Sequence, residues 1–344
     1  MASREVTLDF SRVGTSTKSM NRVVAFFNAS IQSIDKMVRV WRENPRQATL
    51  RALTSVTLPS VILYAINRND PRYQELPQWQ KDLFWIIPTR NQLYRIPKPF
   101  ELGIMFGTVP ERILQWIDTQ DPKAFEGLTA RISSGFTPNV IPTALIPVIE
   151  AFANRSMFTN LPIVPRREEG LLPKHQYGEN TPEIAKHIGA ALNVSPRIIE
   201  NTIRGYTGGL GRYGMDIADA ALHTVGLADP APRPTRELAD MPLVRAFTVR
   251  DLGANAASIE QMYSDMDNLE RRQQSDYALT PQEVAQLGLY KTAANQLSVK
   301  RTQVREIMAS RTMSPEAKRS AIDYLHLAMI NTARHAQGKP PISR

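Results

Sequence analysis

The residues of this 344-residue chain whose types could do chemistry are its histidines, its clustered glycines and its paired carboxylates. Five histidines, His175, His187, His223, His326 and His335, are spread so that no HxxxH or HExxH pair brings two onto one helix face, the spacing a zinc site needs. Each therefore reads as a surface or satisfied core histidine. Cysteine is absent, which removes thiol nucleophiles, thiolate metal sites and disulfides together. No serine sits in a GxSxG elbow.

Gly209-Leu210-Gly211-Arg212-Tyr213-Gly214 fits the GxGxxG pattern that lays a pyrophosphate on a helix N-terminus. That chemistry needs a strand before it and an acidic residue about 20 positions on. Here a helical pattern precedes and Pro230 to Pro234 follow, so a glycine-rich helix junction is expected. Glu168 with Glu169, Asp216 with Asp219, and Glu179 with Glu183 are the carboxylate pairs that could serve as general acid and second carboxylate in glycoside hydrolysis. All lie beside basic or polar residues, Glu168 and Glu169 directly after Arg166 and Arg167, and read as ion-pair partners. The chain is expected to be no enzyme, with no catalytic, cofactor-binding or metal site.

Binding chemistry is better represented. Val23, Phe27, Ile31, Ile34, Val38 and Trp41 recur at three-to-four-residue spacing and share a helix face, with Arg22, Lys36, Arg39 and Arg42 among or beside them. This is the expected partner interface. Residues 1–51 carry a net charge of +5 and residues 291–344 of +7, around a body of −3. Basic ends suit nucleic acid, anionic lipid or an acidic protein surface. Lys300, Arg301 and Arg305 are the expected nucleic-acid contacts. Trp79, Trp85, Arg90, Tyr94, Arg95, Lys98 and Phe100 mix aromatic and basic types as a base-stacking surface would, although aromatics this dense read first as core.

The elements that must position these residues are mostly helices. Residues 1–19 form a polar arm. A helix from about Met20 to Glu43 precedes a second one opened by Asn44-Pro45, with a kink expected at Pro59. The apolar runs at 56–66 and 140–152 are short and contain proline, so burial in a core is expected over membrane insertion. LFWII can form a short strand, and prolines on both sides of Lys98 enforce an extended segment. Thr181-Pro182 and Ser195-Pro196 are helix starts, and no repeat with a period of 20 to 50 residues is evident.

The proline-rich stretch 229–238 reads as a linker. Beyond it, Ala254–Tyr277, a helix opened by the Thr280-Pro281-Gln282-Glu283 box, and one opened by Ser314-Pro315 and closed at Gly338 make an antiparallel bundle. The expected fold is mainly α: an irregular Pro-rich multi-helix domain over 20–228, the linker, then a three-helix antiparallel bundle over 239–344.

The order of DFSRVG, FFNASIQSIDK, ENP, NRNDPRYQELPQWQKD, RIPKPFELG and FGTVPERIL, over about residues 3 to 215, resembles the large polyvalent protein-associated domain family of the type numbered 38. Asp9, Phe26, Asn28, Pro97 and Pro99 enter as structural positions of that pattern. The resemblance implies an internal virion or ejection protein, stored in a tailed-phage capsid near the portal and expelled with the genome into the host envelope. It also implies that these residues are part of a longer chain. The partners implied are copies of itself, portal or tail proteins, viral DNA at the basic termini and host membrane after ejection, with no cofactor and no small-molecule substrate. The alternative is a nucleic-acid-binding accessory module of a mobile element, acting through the same termini.

Overall fold

The computed structural model describes residues 27–137, 141–178, 180–226, 231–241, 244–249, 253, 256–275 and 279–343. The polar arm and Val23 lie outside them. The fold is predominantly α-helical, as the sequence leads one to expect, with one small sheet.

Helix α1, Phe27–Glu43, is followed at once by α2, Pro45–Asn67. Pro45 takes the first helical position after Asn44, though the Asn44 side chain makes no cap bond. Pro59 does not break α2. It has no N–H to give the carbonyl of Ser55, and its ring crowds that carbonyl; the helix absorbs both by widening into a π turn over Leu53–Thr57. The hydroxyls of Thr54 and Ser55 donate to the carbonyls of Leu50 and Arg51 within that turn.

The helical run α3, residues 100–119, repeats the device. A π turn over Ile104–Thr108 precedes Pro110. The carbonyl of Phe106, which Pro110 cannot serve, accepts the Thr57 hydroxyl at 2.6 Å, so the acceptor left over in one helix is satisfied by the other. Thr57, Pro59, Ile62, Leu63, Ile66, Asp70, Pro71 and Glu75 recur in order and spacing as Thr108, Pro110, Ile113, Leu114, Ile117, Asp121, Pro122 and Glu126. Asp70 and Asp121 even cap equivalent short turns, accepting from the backbone N–H of Arg72 and Lys123. The chain thus carries an internal repeat after all, with a period of 51, just beyond the range in which none was expected. α2 and α3 run side by side in the same direction: Thr57 meets Phe106, Ser60 lies against Gly107, and Tyr64 and Arg68 reach Asp118.

Between them, β1, Phe84–Pro88, pairs antiparallel with β2, Leu93–Pro97. The LFWII segment is a strand from Phe84 on, and the extended segment before Lys98 is its hairpin partner; the Thr89 hydroxyl closes the turn on the carbonyl of Gln92. β3, Thr248–Val249, adds to β2 from far along the sequence, burying Val249 with Tyr73, Leu76, Ile86 and Leu93.

Ile146–Ala153, α4, packs on a cluster of three further helices: α5, Glu183–Leu192; α6, Pro196–Thr207; and α7, Gly209–Thr224. Their caps differ from expectation. Thr181 and Ser195 do not cap; the carboxylate of Asp219, on α7, accepts from the N–H groups of Glu183 and Ile184 and so closes the start of α5 across 36 residues. The glycine run is not a loop before a helix: α7 begins at Gly209 and contains Gly211 and Gly214.

The expected linker itself, described from residue 231 onward, is tied on both sides. Arg233 pairs with Asp219 and Glu183, the Thr235 N–H donates to the carbonyl of Pro315, and Arg319 reaches the carbonyl of Thr235 and the carboxylate of Asp240. The bundle that follows is α8, Ala257–Gln274; α9, Pro281–Ala309; and α10, Pro315–Ala336. Both halves of the Thr280–Glu283 capping box form, Ser314 caps α10, and Gly338 ends it in the left-handed region at φ 69°. Its core holds Ile259, Met262, Leu287, Leu297, Met329 and Ile330.

Candidate functional site

Beneath α2 and α3 lies a buried charge cluster. Asp82 comes from the helical turn Gln78–Leu83, Lys98 from the proline-flanked end of the hairpin, and Glu111 and Arg112 from adjacent positions of α3. Arg112 grips both oxygens of Asp82 at 2.9 Å and donates to the carbonyl of Ala124 at 2.6 Å. Lys98 Nζ is 2.5 Å from Glu111 Oε2 and 2.8 Å from the carbonyl of Lys81. Trp85 donates to the hydroxyl of Ser60, and Thr108 donates to the carbonyl of Asp82. Gly103 makes room for Lys98, since a Cβ there would stand 2.7 Å from the lysine's own Cβ.

Burial pushes the Glu111 carboxyl up to about 7 against the opposing pull of Lys98, and burial likewise pulls Lys98 below the ordinary lysine range. Each carboxylate is gripped by a cation, so the cluster locks the helix pair to the hairpin. A second lock joins this region to the bundle. Buried Glu75 accepts from Arg334 at 2.7 Å and from the hydroxyl of Ser258 at 2.7 Å, while its carbonyl accepts the N–H of Ala257.

The sequence-derived residues fall as follows. On α1, Trp41 turns inward, stacking on Phe106 at 5.5 Å and donating to Thr49, and Ser33 donates to Glu101. Ile34 is half-buried, whereas Ile31 and Val38 are exposed; the side chain of Phe27 lies outside the described part. Arg301 donates to the Tyr263 hydroxyl and lies over its ring, Lys300 is half-buried, and Arg305 is exposed beside Thr302. Of the aromatic-basic set, Trp79 packs edge-on against Phe84 and Phe158, Arg95 lies over Phe84, and Lys98 and Trp85 belong to the buried cluster; Arg90, Tyr94 and Phe100 are exposed.

Glu168 pairs with Arg197 and Asp216 with Arg212, while Arg166 reaches Asp267 and Glu270 rather than its sequence neighbours. Glu179 lies outside the described residues. Because α6, not a strand, precedes Gly209, the glycine pattern forms no dinucleotide cradle. Among the described residues no three His, Asp or Glu side chains come together as a metal site.

What sequence reasoning missed is how the helices sort their side chains. α2 buries Ala48, Ala52, Val56, Ser60, Tyr64 and Asn67 and exposes Leu50, Leu53, Leu58, Ile62 and Ile66. α3 buries Gly103, Ile104, Gly107, Thr108, Glu111 and Arg112 and exposes Met105, Ile113, Trp116 and Ile117. α4 buries Pro147 and Glu150 and leaves Phe152 90% exposed. Apart from Val56, Tyr64 and Ile104, small and polar residues face in and the large apolar residues face out, the reverse of an ordinary soluble helix. The repeated T-[LV]-P-x-x-I-L-x-x-I was the signal that could have paired the two helices in advance.

No curated protein and no solved structure matches the chain. Residues 70–244, half of its length, match the family described as large polyvalent protein associated domain 38. The matched stretch opens at the Asp70-Pro71 cap and runs past the proline-rich segment, so DFSRVG and FFNASIQSIDK lie before it, and it ends later than the resemblance suggested. It takes in the buried cluster, the hairpin and the α4–α7 helices. The association it carries is with the large proteins of phages and related viruses, and the chain belongs to the large polyvalent protein associated domain 38 family.

Proposed function

We propose that the chain is an internal virion protein of a tailed phage, an ejection or core protein that assembles near the portal or tail and leaves with the genome for the host envelope. Its role is to hold neighbours, without turnover of a substrate. The observation that carries this reading is the outward-facing aliphatic surface of the family region, Ile113 and Ile117 on α3, Phe152 on α4, Leu210 and Ile217 on α7, joined by Ile31 and Val38 on α1 ahead of it. Exposed apolar surface on this scale marks places where something else packs. Family membership supplies the phage context.

Mass spectrometry of purified virions together with imaging of the portal vertex tests it. The expected result is several copies of the chain at the portal or tail in full particles and loss of those copies from emptied ones. A chain absent from purified particles would end the reading. The second reading, a nucleic-acid-binding module of a mobile element, draws on the exposed Arg305 and the basic C-terminal region. It requires DNA binding that weakens steeply with salt and is lost when Lys300, Arg301 and Arg305 are neutralised.

A further inference from the structure

We propose that the outer face of α2 is a docking surface for an anionic lipid bilayer, on which the helix lies with Leu50, Leu53, Leu58, Ile62 and Ile66 in the acyl boundary. Among the described residues α2 is the one helix long and apolar enough to cross a membrane, at 23 residues, yet only 22% of its apolar window is buried in the protein. Its polarity is that of a helix in lipid. Ser60 and Val56 lie against Gly107 of the neighbouring helix, Ala52 is buried with them, and the large aliphatics Leu50, Leu53, Leu58, Ile62 and Ile66 are exposed.

The π turn contributes to this face. Leu53 and Leu58 are five residues apart, which would rotate them onto different sides of a regular α-helix; the wider turn at Leu53–Thr57 brings the five-residue step back toward a full revolution. The stripe therefore continues from Leu50 to Ile66.

Charge selects lipid over protein as the occupant. Between Glu43 and Asp70 there is no acidic residue, while Arg46 and Arg51 are exposed on the first turns of α2 and Arg42 just before it. A second copy docked on the same face would set these three arginines against their own like, with Glu43 as the one exposed carboxylate at that end to meet them. A bilayer with anionic headgroups offers hydrocarbon to the stripe and negative charge to its flank at one depth.

This inference deepens the envelope-delivery part of the proposed function by assigning one face its partner. Its test uses purified full chain, so failure on vesicles and absence from virions are separate results. Flotation with vesicles of equal parts phosphatidylglycerol and phosphatidylcholine is compared with pure phosphatidylcholine. Co-flotation with the anionic vesicles is expected, falling by about tenfold or more in the double variant Leu58→Glu, Ile62→Glu and persisting in Ile217→Glu, a still more exposed position on α7.

The affected side chains are exposed, so both variants should melt near the parent in circular dichroism. Should the double variant fail to fold, Arg46→Glu with Arg51→Glu serves instead and should abolish the preference for anionic vesicles. Flotation that is absent in the parent, or unchanged in the α2 variants, overturns the proposal. So does a soluble oligomer, without vesicle binding, that the α2 double variant dissolves: a second copy would then be the occupant.

Discussion

The helix pair α2–α3 and the bundle α8–α10 are built from similar residues sorted in opposite ways. In the bundle Ile259, Leu297, Met329 and Ile330 are fully enclosed, and the helices turn residues such as Arg271, Lys291 and Arg305 to solvent. In the pair the enclosed residues include Ser60, Thr108, Glu111 and Arg112 beside Ala52, Val56 and Ile104, and most of the large aliphatics face outward. Apolar burial stabilises the bundle without reference to partners or angles. The pair depends on a few directional bonds instead, and these hold only while every donor and acceptor keeps its partner. One region is stable because of what it hides; the other offers its apolar surface to something else.

The comparison is broken most sharply at the Asp82–Arg112 pair. Arg112→Met leaves enclosed Asp82 with only the looser Arg131, 3.8 Å away, and should cost about 3–5 kcal/mol in chemical denaturation, with much of it recovered when Asp82→Asn is added. Ile330→Ala in the bundle should cost about 2–5 kcal/mol, with no second change able to restore it, because the loss there is volume rather than charge. A Thr57→Val change removes the donor to the Phe106 carbonyl and should cost about 1–3 kcal/mol. At the small end, Ile66→Ala, on the outer face of α2, should shift stability by no more than about 0.5 kcal/mol, an inversion of what the same change does at Ile330.

The Glu111 carboxyl adds a pH axis to the same contrast. Its folded-state value of about 7 stands above the ordinary 4.5, so the folded protein holds a proton that the unfolded chain gives up first. The stability this group contributes is full below about 4.5 and is lost as pH rises toward and through 7. Melting temperatures measured across that window should fall for the parent, and Glu111→Gln, which mimics the protonated acid, should flatten the slope.

The bundle was the most legible part of the sequence because its signals are local: Thr280 and Glu283 cap one helix, Ser314 opens the next, and Gly338 closes it. The short strand LFWII and the extended segment at Lys98 were legible one by one, but their pairing as a hairpin was not. The locks of the family region join distant residues, Asp219 to Glu183, Glu168 to Arg197 and Glu75 to Arg334, and no spacing rule reaches that far. Helical periodicity placed Trp41 and Val38 on one face of α1, but it could not show that the first stacks on Phe106 while the second meets solvent. Nor does a proline announce whether a helix will kink or widen. At Pro59 it widens, beside an α3 whose freed Phe106 carbonyl takes the Thr57 hydroxyl.

Glu75 has one more consequence. Its carboxylate holds Arg334 and Ser258 from the far end of the chain, and Thr248 and Val249 are stitched to the hairpin nearby. A protease that nicked the proline-rich stretch would therefore yield two fragments that still travel together through gel filtration, coming apart more readily when Glu75 is also replaced or the sheet is unzipped.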